Sequence, residues 1–193
     1  MIDMNVIQWS GLSPEEQRRL LRRPVFDNEG LGESVSRILE RVRTGGDAAL
    51  LELTRELDGR EPDSFRLSQE RLDAAVNSTD PQLLEAIADA SGRIRAFHAA
   101  DMPRAKTVET APGLTCEVRY QPLSPVGLYI PGGSAPLIST VLMLAIPAVL
   151  AGCEEIVLCS PPGIDGNIPA SILAAAKLCG VTRVFCAGGA QAI

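Results

Sequence analysis

The residues best suited to bind a ligand stand where apolar segments give way to glycine-rich turns. Tyr129 precedes the turn at 131–134, and Gln191 follows Gly188 and Gly189. A tyrosine can stack on a planar ring or donate a hydrogen bond, and a glutamine amide can pair with amide or hydroxyl groups. Glycines let the backbone approach a ligand closely, and the open N–H groups of a following helix favour phosphate. These residue types predict a site for a phosphate-bearing ligand.

Three apolar segments and the helices between them must position these residues. Strands are predicted at 126–130, 155–160 and 182–187. One crossover helix is predicted from Pro136, at its first position, to Gly152, and a second spans 168–178 before Gly180. This β-α-β-α-β order is typical of a Rossmann-like parallel sheet with right-handed connections. The loops at 131–134, 160–163 and 188–191 then share the crevice at the carboxyl ends of the strands.

The common signatures of nucleotide binding are missing from this sheet. Neither the G-x-G-x-x-G fingerprint nor the G-x-x-x-x-G-K-[ST] phosphate loop occurs. The second strand ends at Leu158-Cys159-Ser160, so no acidic residue closes it to hold a ribose hydroxyl. From spacing alone, the turns are equally compatible with ordinary connections between strands and helices.

The chain before the sheet is predicted to be mostly helical, with one β-hairpin. Helices are predicted after the capping box at Ser13 up to Arg23, over 32–43, from Asp47 to Gly59, over 68–76, and from Asp80 onward. Apolar stripes predict that Leu57 and Phe97 face inward on the third and fifth of these helices. The hairpin joins 106–110 to 114–121, and its second arm alternates apolar Leu114, Cys116, Val118 and Tyr120 with polar residues.

These patterns predict an α/β fold in which an incomplete Rossmann-like sheet follows a helical segment. The expected domains are an N-terminal helical arm at 1–24, the first part of one domain at 25–125, and the first part of a nucleotide-binding domain at 126–193. The residues 190–193 predict the start of a third helix, so the third strand is expected to leave an uncovered edge.

Composition narrows the function further. A net charge of −6 and a pI near 4.9 argue against nucleic-acid binding. Five cysteines without C-x-x-C spacing and a single histidine, His98, predict reduced thiols, no zinc site and no Cys/His catalytic pair. Cys116 and Cys153 are expected to be structural thiols, and His98 a packing residue. With no signal-peptide pattern and no apolar run long enough to span a bilayer, a cytoplasmic location is predicted.

Longer motifs carry a resemblance to a known family. They are TGGDAALLELT at 44–54, Phe97-His98, VGLYIPGGSAPLISTVLMLAIPAVLAGC at 126–153, IVLCSPP at 156–162, LAAAKLCGV at 173–181 and AGGAQAI at 187–193. With these motifs the chain closely resembles the histidinol dehydrogenases, almost from end to end. The strand–helix–strand unit is similar, more distantly, to that of aldehyde dehydrogenases.

The resemblance implies a homodimeric, zinc-containing enzyme that oxidises L-histidinol through L-histidinaldehyde to L-histidine and reduces two NAD. Tyr129 and Gln191 match family residues that contact NAD. The family's zinc ligands and catalytic Glu–His pair match no position here, so no catalytic or metal-ligating residue is expected, and family members continue far past GGAQAI. An N-terminal portion that is inactive by itself is therefore predicted. The alternatives are a related dehydrogenase of another amino alcohol or diol, and a non-enzymatic assembly module.

Overall fold

The computed structural model describes residues 6–23, 29–60, 62–133, 135–163, 165–181 and 183–193. The helices are α1 Pro14–Leu21, α2 Glu29–Asp58, α3 Gln69–Ser78, α4 Pro81–Ala100, α5 Ile138–Ala151 and α6 Ala170–Leu178. The strands are β1 Lys106–Ala111, β2 Leu114–Val118, β3 Val126–Tyr129, β4 Ile156–Ser160 and β5 Arg183–Cys186, with short 3₁₀ turns at Trp9–Gly11 and Ala190–Ala192. The chain divides into two compact units, Met1–Ser36 and Arg37–Ile193.

The sheet that positions the site contains β3, β4 and β5 in that order, all parallel. Leu128, Leu158 and Val184 pair in register across it and are buried. They join buried residues of α5 and α6 in one apolar core, onto which α3 and α4 also place side chains. Alternate residues such as Tyr129, Cys159 and Phe185 are half-buried on the opposite face. The predicted β-α-β-α-β sheet after a helical segment is confirmed.

The third strand of the sheet has a partner that the sequence did not indicate. Cys186 N donates to Phe65 O at 2.7 Å, and Leu67 N donates to Val184 O at 2.9 Å. The segment 65–67 therefore pairs antiparallel with β5 along its outer edge. The expectation of an uncovered edge at this strand is wrong, because a segment more than a hundred residues earlier satisfies its backbone groups.

The unit that contains α1 begins with the expected helix signal. The Ser13 hydroxyl accepts from Glu16 N, and the Glu16 carboxylate accepts from Ser13 N at 2.8 Å, which closes a capping box. The Ser13 hydroxyl also donates to the Glu16 carboxylate at 2.7 Å, and this bond and the one from Ser13 N hold the pKa of Glu16 below its ordinary value. The helix ends at Leu21, with Arg22 as its C-cap, slightly before the predicted Arg23.

The two helices predicted on either side of Gly45-Gly46 meet at a kink within α2. Gly46 interrupts it with φ 57° and ψ −142°, a conformation that favours glycine, and the hydrogen-bonded helix resumes beyond it. Leu53 is buried, but Leu57, one turn later, is 56% exposed. On α4, Phe97 is 72% exposed because it lies beyond Ile94, the last residue of its stripe that packs on the core. The inward prediction for Leu57 and Phe97 is therefore wrong.

The predicted hairpin forms between β1 and β2, with Gly113 at φ 78° in its turn. Its second strand ends at Val118, earlier than the predicted 121. The expected apolar face is exposed along its whole length, at Leu114, Cys116, Val118 and Tyr120. The alternation of apolar and polar residues correctly predicted a β-strand, but no described element packs onto either face of the hairpin. Within the described parts of the chain, no helix is both long and apolar enough to cross a membrane.

Candidate functional site

A cleft of about 640 Å³ opens at the carboxyl ends of β3 and β4. It is lined by the loops that follow these strands, by the start of α5, by α6 and its preceding loop, and by the end of α2. The lining residues are Asp58, Arg60, Pro131, Gly132, Gly133, Ala135, Pro136, Leu137, Ser160, Pro161, Pro162, Gly163, Asp165, Pro169 and Ile172. This is the edge at which parallel α/β sheets bind ligands, as the sequence indicated.

Two glycines let three loops meet around one proline. A Cβ on Gly132 would lie 2.7 Å from Pro161 Cγ. A Cβ on Gly188 would lie 2.4 Å from Pro161 Cβ and 3.1 Å from its Cα. These separations are too short for carbon atoms, so only glycine allows the loops after β3, β4 and β5 to pack this closely.

The structure brings Tyr129 to the loop that carries Gln191. The Tyr129 hydroxyl accepts a hydrogen bond from Gly189 N at 2.9 Å. This bond uses the hydroxyl as an acceptor and leaves its own hydrogen free to donate. Gly189 has φ 64° and ψ −168°, a region open essentially to glycine alone. Thus a hydrogen bond between the Tyr129 side chain, at the end of β3, and the backbone of Gly189, after β5, joins the ends of these two strands.

Gln191 lies beneath this loop with its amide unpaired. Its residue is 5% exposed, and neither Oε1 nor Nε2 has a hydrogen-bond partner among the described residues. It belongs to a 3₁₀ turn, Ala190–Ala192, where the sequence predicted the start of a helix. A buried amide without partners costs on the order of 1–3 kcal/mol. Such an amide is well suited to a ligand that supplies a donor and an acceptor.

The start of α5 faces the cleft without a side-chain cap. Leu137 is its N-cap, makes no capping hydrogen bond, and lines the cleft. The first turn contains no acidic residue. The prediction that Pro136 occupies the first helical position is wrong, because Leu137 at ψ 63° separates this proline from the helix. The open N-terminus and its dipole still favour an anion at this position.

The prediction missed three charged residues of the cleft, Asp58, Arg60 and Asp165. Asp58 is the last residue of α2, and its Oδ2 is buried with no hydrogen-bond partner in the described chain. Burial raises the pKa of the Asp58 carboxyl above its ordinary value. A carboxylate at a helix C-terminus opposes the helix dipole, and this placement was the available signal in the sequence.

Three of the five cysteine thiols have a raised pKa. Burial raises the pKa of Cys159 and Cys179, and raises that of Cys186 to about 11. Cys153 is half-buried and Cys116 is exposed, and all five cysteines are free. Cys116, expected to be a structural thiol on the apolar face of the hairpin, is therefore exposed rather than packed. His98 packs edge-to-face on Phe97, with ring centroids 5.6 Å apart. No three His, Cys, Asp or Glu residues of the described ranges are grouped to hold a metal ion.

Comparison with known proteins identifies the family. The family model for histidinol dehydrogenase matches residues 21–193. The histidinol dehydrogenase of Idiomarina loihiensis is 50% identical over 187 residues, which are 96% of this chain and 42% of that relative. That of Xylella fastidiosa is 48% identical over 191 residues, covering 98% of this chain and 44% of the relative.

A solved structure agrees with the sequence relatives. The crystal structure of histidinol dehydrogenase from Elizabethkingia anophelis superposes with a TM-score of 0.87 at 40% identity, covering 94% of this chain and 42% of that one. The chain thus spans less than half the length of the relatives it matches. The resemblance indicated by the motifs is confirmed: this chain belongs to the histidinol dehydrogenase family.

Proposed function

We propose that the chain forms the NAD-binding part of an enzyme that oxidises L-histidinol to L-histidine in two NAD-dependent steps, as the last oxidation of histidine biosynthesis. Tyr129 and Gln191 are the proposed cofactor contacts. The observation that supports this most strongly is the buried, unpaired amide of Gln191 beside the loop held by Tyr129. A polar ligand at the crevice would supply the missing hydrogen bonds.

The residues present fit a dinucleotide. The uncapped start of α5 suits the pyrophosphate, and Gly133, where an added Cβ would meet no atom closer than 4.0 Å, leaves the adjacent backbone open to it. When bound, NAD accepts the hydride that leaves the substrate. Tyr129 orients the 188–191 loop through Gly189, and its free hydroxyl hydrogen can donate to the cofactor. Gln191 fixes a polar group of the cofactor through its amide.

Zinc, L-histidinol and a homodimer belong to the proposed whole enzyme through its family. The described residues of this chain do not bring together ligands for zinc, and no step through zinc is derived from them. We also propose a cytoplasmic location, in keeping with five free thiols, and a nucleotide domain that begins at Val126, where β3 starts. Residues 1–24 and 25–125 are the proposed arm and first domain.

Incubation of these 193 residues with L-histidinol, NAD and zinc is expected to give no NADH. The reason is that the described residues bring together no group of ligands for a metal ion, and the family's catalytic Glu–His pair matches no position of this sequence. NADH absorbance measures the reaction, with the Idiomarina loihiensis enzyme as the positive control. Turnover by the 193-residue chain would contradict only the expected inactivity of this chain by itself. Failure of NAD to bind to the protein in calorimetry would contradict the cofactor assignment itself.

Replacing Gln191 with alanine is expected to lower NAD affinity roughly tenfold, since a ligand-paired amide is lost. Tyr129→Phe is expected to weaken NAD binding less, severalfold, by releasing Gly189 N. Isothermal titration with NAD measures both. Tyr120→Phe, on the exposed hairpin, is the matched control and is expected to bind NAD as the unchanged protein does. Unchanged NAD affinity in Gln191→Ala would rule out this residue as a contact.

A further inference from the structure

The cleft contains a carboxylate with no assigned role, Asp58. It stands at the end of α2, yet it lines the crevice beyond β3 and β4 together with Ser160 and Gly132. Its Oδ2 is shielded from solvent and lacks a hydrogen-bond partner in the described ranges. An unpaired carboxylate oxygen is costly, so its position in a ligand-sized cleft calls for a ligand donor.

The ribose of a dinucleotide is the candidate donor, because the sheet lacks the acidic acceptor that usually ends its second strand. In dinucleotide-binding folds an acidic residue after the second strand accepts hydrogen bonds from the adenosine ribose. Here the second strand, β4, ends at Ser160 without an acid, and the acid that comes next in the chain, Asp165, lies further along the loop that leads to α6. Asp58 reaches the same end of the sheet from a different element and lines the cleft beside this loop.

We infer that Asp58 supplies this acceptor: its carboxylate binds the 2′-hydroxyl of the adenosine ribose of NAD and disfavours the 2′-phosphate of NADP. The inference rests on the proposed NAD site and adds to it a residue that determines cofactor specificity. Asp165 also lines the cleft, but its Oδ1 accepts from Asn167 N at 3.0 Å and is used within its own loop. Asp58 Oδ2 has no such use, which favours it over Asp165.

A ligand cycle tests the hydrogen bond directly. The protein and its Asp58→Ala variant are titrated calorimetrically with NAD and with NAD lacking the adenosine 2′-hydroxyl. We expect the unchanged protein to lose about tenfold in affinity for the deoxy ligand, and Asp58→Ala to lose about tenfold for NAD. The variant should then bind the two ligands equally. A variant that still distinguishes them by tenfold would overturn the inference.

Charge is tested separately with Asp58→Asn. Its ratio of NAD to NADP affinity is expected to fall at least tenfold, because the neutral amide no longer repels a phosphate. Asp89→Asn, which removes a charge from the exposed surface of α4, is the matched control and should leave that ratio unchanged. Arg60 lines the cleft as well, so a preference of the unchanged protein for NADP would contradict the inference. A larger change in Asp165→Asn than in Asp58→Asn would assign the acceptor to Asp165 and overturn it too.

Thermal unfolding without cofactor separates binding from a structural role. If Asp58 serves only to bind a ligand, Asp58→Ala should be as stable as the unchanged protein or more stable. The reason is that Asp58 Oδ2 has no partner among the described residues to lose. Lower stability of Asp58→Ala together with unchanged NAD affinity would show that Asp58 is structural. If the unchanged protein binds no NAD, the proposed function fails and the inference with it; NAD binding that ignores Asp58 contradicts the inference alone.

Discussion

Gly188→Ala is expected to disrupt the packing of the site's loops around Pro161. The new Cβ would lie 2.4 Å from Pro161 Cβ and 3.1 Å from Pro161 Cα, and the proline ring cannot rotate away. The loops after β4 and β5 must separate, at a cost of roughly 1–3 kcal/mol in the free energy of unfolding. NAD affinity should fall by roughly tenfold or more, because Gln191 follows in the displaced loop. Urea denaturation and NAD titration measure the two effects.

Gly127→Ala provides the control for the added methyl group. A Cβ on Gly127, in β3, has no heavy atom within 4 Å, and its φ is not positive. The free energy of unfolding of Gly127→Ala is expected to rise by less than about 1 kcal/mol. Equal NAD affinity in Gly188→Ala and Gly127→Ala would contradict the interpretation that packing around Pro161 positions the site.

Leu158→Ala is expected to lower the free energy of unfolding by about 2–5 kcal/mol. Leu158 is fully buried at the centre of β4, between Leu128 and Val184, so the lost side chain leaves a cavity that its neighbours cannot fill. This is a large fraction of the stability of an ordinary domain. Urea denaturation followed by circular dichroism measures the loss.

Val157→Ala is the matched control on the same strand. Its side chain is half-buried on the opposite face of the sheet, so its truncation should cost roughly 1 kcal/mol. If the two truncations cost the same, the assignment of the α5–α6 side as the main core of the sheet is wrong.

The sheet and the position of its cleft could be predicted because local signals agree there. Apolar runs, glycine turns and crossover length all favour a parallel sheet around Tyr129 and Gln191, and the chain order fixes which strand ends meet. The hydrogen bond between Gly189 N and the Tyr129 hydroxyl was not predicted. The spacing did not name the ligand; the family motifs supplied it.

The remaining features depend on contacts between distant parts of the chain. Asp58 lines the cleft only because α2 ends near the loops that follow β3 and β4. No local sequence pattern predicts this arrangement. The pairing of Phe65 with Cys186 is equally non-local, since an isolated three-residue segment has no strand pattern. Leu57 and Phe97 were wrongly predicted to face inward, although they follow the apolar period of their helices. The period does not indicate how far along the helix the neighbouring elements pack against it.

The antiparallel pairing of 65–67 with β5 has a consequence for how the protein is made. During translation the segment 65–67 leaves the ribosome long before Val184 and Cys186, to which it hydrogen-bonds. At roughly 5–20 residues per second, the early helices wait several seconds with these backbone groups unpaired. Native closure of the sheet edge therefore waits until β5 has been synthesised, and a chaperone that shields extended segments would act in this interval.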